Sequence, residues 1–306
     1  MTVSDRIESV PFEPAQEWRR RELGLFLRSR RSRLAPPEAD SPAPQRRRTK
    51  GLRREEVAEM LGVSPSWYTK LEQGRDVSPS PRLLARIAEV LHLSAIEREQ
   101  LLRLGMEEPV PASAIDEAAL HHAQMIIDAM PYSPAYVLTS RADYVACNRA
   151  ARELFGNYER FAGNGNQLIS LFMDKKARHY LPAWQESARS QVAMFRTAFA
   201  RYVHDRRLQE LVLTLLKQSP EFRQLWEEYE LPAHSSRRLR YRPPEGQALN
   251  GQTLDFNHFT FFADLEKQLR VEVFNPANPE TQRQIAGLVN SENLNSEDVG
   301  GDRTNG

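Results

Sequence analysis

The stretch that most limits what this chain can fold into is Leu52–Gly74, LRREEVAEMLGVSPSWYTKLEQG. Val57, Ala58 and Leu61 fall at i, i+1 and i+4, a narrow apolar stripe on a first helix whose other faces carry Arg53, Arg54, Glu55 and Glu59. Gly62 ends that helix, because glycine enters the left-handed backbone region without the Cβ clash that other residues meet. Ser64 then supplies an N-cap and Pro65 a first-turn proline, so a second helix is expected from Pro65. On it Tyr68 and Leu71, three apart, face a core and leave Ser66, Trp67, Thr69, Lys70 and Gln73 outward. Hydroxyl, ammonium and amide groups on the first turns of a helix bond base edges and phosphates, so these residues and Ser64 are candidate duplex contacts.

Charge supports that reading once it is divided along the chain. The 306 residues carry a net charge of only +1, yet residues 15–105 hold 19 Lys and Arg against 12 Asp and Glu, an excess of seven that leaves about −6 elsewhere. A basic block beside a mildly acidic remainder suits a nucleic-acid module joined to a part that avoids phosphate. Arg46, Arg47, Arg48 and Lys50, in the loop that leads into the motif, are expected to bind backbone phosphates and add affinity that is salt-dependent but blind to sequence.

Residues 1–14 read as a flexible arm, and 15–105 as an all-α domain of five helices. Its first helix has Trp18, Glu22, Leu23, Phe26 and Leu27 on one stripe with arginines around it; its last opens on the capping box Ser94–Glu97 and closes at Gly105. Residues 106–114, proline-rich and acidic, read as a linker. A second, α+β domain is expected over 115–276. Ala135–Thr139 and Tyr144–Cys147 form a hairpin, Asn148 caps a helix that closes at Gly156, and helical spacing follows to Tyr229. Three later strands, in 238–242, 253–262 and 269–274, complete an antiparallel five-stranded sheet, and 277–306 read as a disordered tail.

Leu52–Ala58, Gly62-Val63-Ser64 and Leu71–Gly74 resemble the repressor-type helix-turn-helix of the XRE family of bacterial regulators. By that resemblance Arg54 is the residue that touches a phosphate, and the base-reading positions fall on Pro65, Ser66, Trp67, Thr69 and Lys70; a proline has no donor for a base, which shifts weight to the other four. The strand–turn–strand–helix run from Ala135 resembles a PAS-like fold. With Pro134–Leu138, Asp143 to Asn148, Leu171-Phe172, Trp184, the helix with Arg196, and Ser219–Trp226, the whole is similar to the MmyB-like transcription regulators, a helix-turn-helix followed by a PAS-like ligand-binding domain.

That resemblance implies a long-chain fatty acid or similar apolar ligand held between sheet and helices. Tyr136, Trp184, Phe195, Phe199, Trp226, Phe256 and Phe261 are the candidate lining, with Arg196 the candidate partner of a carboxylate head. No catalytic or metal site is expected: adjacent His121 and His122 diverge on a helix, no HExxH occurs, and the lone Cys147 excludes multi-cysteine clusters. No cofactor is expected beyond the bound ligand. No apolar run nears a membrane span and no signal peptide opens the chain, so a cytoplasmic homodimer on an operator in double-stranded DNA is the expectation. The alternative is a DNA-anchored protein-interaction or dimerisation module without a small ligand.

Overall fold

The computed structural model describes residues 14–35, 51–106, 115–156, 165–232, 236–244, 249, 251–263 and 268–297, with side chains to 291. All but the last residue of the expected arm at 1–14, all but the first of the expected linker at 106–114, and the basic loop with Arg46, Arg47, Arg48 and Lys50 lie outside these residues.

Five helices make the N-terminal domain: α1 Ala15–Arg33, α2 Arg54–Leu61, α3 Pro65–Glu72, α4 Pro81–Val90 and α5 Ala95–Gly105. The punctuation read from sequence is the punctuation observed. Gly62 sits at φ 71, Ser64 Oγ accepts the Trp67 N–H at 3.2 Å, and Ser94 with Glu97 forms a reciprocal cap. Phe26, Leu27, Val57, Tyr68, Leu84, Ile87 and Leu101 meet in one core and are almost wholly buried.

The C-terminal domain follows as α6 Glu117–Asp128, β1 Ala135–Thr139, β2 Tyr144–Cys147, α7 Arg149–Phe155, α8 Gln167–Met173, α9 Ala177–Tyr180, α10 Trp184–Arg201, α11 Arg206–Gln218, α12 Pro220–Glu228, β3 Ser236–Tyr241, β4 Leu254–Phe262, β5 Leu269–Pro276 and α13 Pro279–Glu297. The five strands form one antiparallel sheet in the order β2-β1-β5-β4-β3. Strand alternation gives it two different faces. Ala135, Val137, Val271 and Val273 pack under Ala123 and Ile127 of α6, while Tyr136, paired with Glu272, and Phe274, paired with His258, point the other way. Asn148 fixes the strand-to-helix corner: its Oδ1 accepts from Ala135 N and Ala151 N at 3.0 Å each, and its Nδ2 donates to the carbonyls of Ile127, Met130 and Ser133.

One expectation is corrected. Of the tail expected to be disordered over 277–306, Pro279–Glu297 is helical, and Ile285 and Val289 bury themselves beside Leu154, Leu254 and Phe256. Its polar composition hid a narrow apolar stripe, which needs only one side of a helix. The two domains also share a helix. Ala15 and Trp18 of α1 belong to the helical core of the C-terminal domain, with the Trp18 ring 5.3 Å from that of Phe199, so α1 is shared between both cores.

Candidate functional site

The helix expected to read DNA is anchored from behind. Tyr68, Leu71 and Glu72 are buried, and the Glu72 carboxylate, with no exposed side-chain surface, takes Arg31 Nε at 2.6 Å and Arg54 Nε at 2.7 Å. One carboxylate between two guanidiniums ties α3 to α1 and α2 by charge-assisted bonds and leaves a positive surplus at the surface. Arg54, expected to meet phosphate, is thus partly exposed and already braced. Ser66, Lys70 and Gln73 are exposed and Thr69 half-buried, on the outward side of α3 as expected. Trp67 departs from its expectation in part, being half-buried against the domain core. Ser64 is exposed but spends its hydroxyl on the helix cap.

The second site is a cavity of about 400 Å³ between the Tyr136 face of the sheet and α7–α10. Its wall is largely aromatic, with Tyr136, Tyr144, Phe155, Tyr180, Tyr241 and Phe274; its polar groups are Gln167 and Ser170 of α8, Asp174 and Lys176 just after it, Ser187 and Gln191 of α10, Arg237 of β3 and Glu272 of β5. Burial drives the Tyr144 and Tyr241 hydroxyls well above the ordinary phenol range, so both stay neutral.

At the floor, Glu272 accepts from Gln167 Nε2 at 2.8 Å and Gln191 Nε2 at 3.0 Å, with Arg270 at 3.3 Å and His258 at 3.4 Å. Burial alone would raise its pKa, but the Arg270 guanidinium and His258 outweigh burial and hold the carboxyl well below its usual range. Arg237 differs. Its Nη1 donates to Ser187 Oγ at 2.9 Å, its Nε has no hydrogen-bond partner, and burial lowers its pKa against the pull of Glu272 and Glu186. A guanidinium among the lining residues of a largely aromatic cavity suits an anionic ligand group.

Of the eight residues expected to line the ligand site, the structure brings only Tyr136 to the cavity. Trp184, Phe195, Phe199 and Trp226 instead form the helical core with Phe172 and Phe222. Phe256 is fully buried beneath α13, and Phe261 lies exposed on β4. Aromatic residues at helical spacing filled a core because that is the cheapest way to bury their area. Arg196 is the largest correction. It has no exposed surface, its Nη1 meets Glu22 Oε2 at 2.6 Å, and its Nη2 donates to the Trp226 carbonyl, so it neutralises a carboxylate of the N-terminal domain. Sequence reading missed Arg237, Gln191 and Glu272. The signal was period two: Arg237 shares a strand face with Leu239 and Tyr241, and Glu272 interrupts Val271 and Val273.

Among the described residues no cluster of three or more His, Cys, Asp or Glu side chains could hold a metal ion, and no helix is long and apolar enough to cross a membrane. A basic helix-turn-helix set on a PAS-like domain with an aromatic, arginine-bearing cavity defines a DNA-binding transcription regulator with a ligand-binding domain. The comparisons agree. Residues 22–101 match the helix-turn-helix domain family, and residues 97–288, more than half of the chain, match the MmyB-like transcription regulator ligand binding domain; the chain belongs to that family. Both matched families are regulator domains rather than enzymes. No curated protein matches the chain.

Proposed function

We propose that this protein is a cytoplasmic, homodimeric, sequence-specific regulator that grips a palindromic operator with two copies of α3 and changes its hold when a fatty acid or similar apolar anion fills the cavity between sheet and helices. The observation that carries the ligand reading is the half-buried Arg237, bonded to Ser187, among the lining residues of a cavity of about 400 Å³ whose wall is largely aromatic. That volume lies at the low end of the range of about 300–1,000 Å³ for small-molecule clefts, room for a single chain. Arg237 takes the role that Arg196 was expected to fill. On the DNA side, Ser66, Trp67, Thr69, Lys70 and Gln73 are the proposed contacts to bases, and Arg46, Arg47, Arg48, Lys50 and Arg54 those to phosphates. Ser64 caps the reading helix and sets its angle.

Mass spectrometry of organic extracts from the purified, folded chain tests the ligand half. An acyl-chain carboxylic acid is expected from the native protein and is lost from Arg237→Ala. An extract without such a mass, together with no binding of added tetradecanoate, contradicts it. The rival reading, a DNA-anchored interaction module, draws on the exposed Phe259, Phe261 and Phe262 along β4. A protein that assembles through that strand with an empty cavity favours it.

A further inference from the structure

The junction between the two domains is built around a buried charge pair rather than plain apolar packing. Glu22 of α1 and Arg196 of α10, 1% and 0% exposed, approach to 2.6 Å. Around them, Trp226 Nε1 donates to Glu22 Oε1 at 3.2 Å, and the Arg196 guanidinium carbon lies 3.9 Å from the Trp226 ring centre and 3.7 Å from that of Tyr229. Tyr229 in turn packs edge-on against Phe26 at 5.5 Å and receives a hydrogen bond from Gln100 of α5 at 3.4 Å. Such a pair is costly to desolvate and can be replaced by apolar side chains with little loss, so stability alone does not require it. What it adds is a single defined registration of α10 against α1.

Both helices lead somewhere. Ser187 and Gln191, one turn apart on α10, carry the bonds to Arg237 and Glu272 in the cavity wall. Arg196 stands nine positions beyond Ser187, about 13.5 Å along one continuous helix. At the other end, α1 touches the reading helix backbone to backbone: a Cβ on Gly24 would stand 2.4 Å from the Glu72 carbonyl oxygen, and one on Gly74 3.0 Å from Arg21 Cα. A shift of α1 toward α3 therefore meets backbone and must displace it.

We propose that Glu22 and Arg196 are positioning residues that transmit the state of the cavity to the DNA-reading helix. This rests on the ligand-regulator reading above. A ligand anion that recruits Arg237 breaks its bond to Ser187, α10 is released to shift, and the ion pair hands that movement to α1 and so to α3. Removing the pair uncouples the two sites while leaving each able to bind.

The test uses the full chain, an operator fragment selected from random duplexes, and tetradecanoate as probe. Operator affinity is measured with and without probe, and probe affinity by calorimetry, for the native protein, Glu22→Gln, and the apolar double variant Glu22→Met with Arg196→Met, which avoids a lone buried charge. The native protein is expected to change operator affinity by about 5–150-fold on probe binding. The double variant binds probe and operator alone within about threefold of native but changes operator affinity less than about twofold, an effect that loss of folding would not give. A double variant that retains the native fold-change overturns the proposal and leaves the ligand reading intact. A native protein that binds operator but shows no response to bound probe overturns both.

Discussion

Charge placement at single residues decides how this molecule responds to pH and to substitution. Glu272, held below its ordinary value of 4.5 chiefly because Arg270 and His258 outweigh its burial, binds fewer protons folded than unfolded near that pH. Its contribution to stability is therefore present above about pH 4.5 and lost as pH falls through the lower folded value. Acid unfolding followed by circular dichroism should show a steep limb below that point in the native chain and a shallower one in Glu272→Gln; identical limbs would remove Glu272 from the account. At the domain junction, Arg196→Ala leaves the buried Glu22 without its opposite charge and is expected to cost about 3–5 kcal/mol, while replacing both partners by Met costs far less. Urea unfolding of the two variants gives the comparison. Glu22 was legible as an oddity, a carboxylate on the apolar stripe of α1. Its partner was not, because a sequence shows the pattern along one helix and says nothing of which other helix will cross it. Arg196 was read toward a ligand for the same reason: a cation among Phe195 and Phe199 signals a buried anion without naming its source.

Among the elements, α1 and α3 behave as one body. The Gly24 contact is with backbone, which cannot swing aside, so Gly24→Ala forces the helices apart and is expected to cost about 1–3 kcal/mol or more. Operator affinity should fall with it, and thermal unfolding measured beside a DNA titration checks both; a fully stable variant with native affinity would contradict this packing. On α3 itself, Lys70→Ala and Thr69→Ala should relax sequence preference, whereas Arg47→Ala with Arg48→Ala should weaken all duplexes alike and flatten the salt dependence. Binding to operator and random duplex across a salt series separates the two. The helix boundaries of this domain were legible because Gly62, Ser64, Pro65, Ser80 and Ser94 act locally, within one turn of where they stand. The sheet was legible as alternation and the reach of its strands nearly so. The cavity was not, since its walls come from β1, β2, β3, β5 and α7–α10, and only the fold decides which aromatic residues face the gap and which face each other.

For the whole molecule, a chain divided by charge into a basic reader and a mildly acidic partner folds with the two parts interlocked: Trp18 sits in one core, Phe26 in the other, and both belong to α1. That arrangement makes coupling between pocket and operator a mechanical expectation, and linkage makes it reciprocal, so operator DNA must change ligand affinity by the same factor that ligand changes operator affinity. The measurement that bears most directly on the account is the operator affinity of the full-length protein, determined with and without saturating tetradecanoate on one selected duplex. The account predicts a shift of about 5–150-fold, matched by an equal shift in tetradecanoate affinity when operator is present. Tight binding of both partners with less than a twofold effect of either on the other would contradict it.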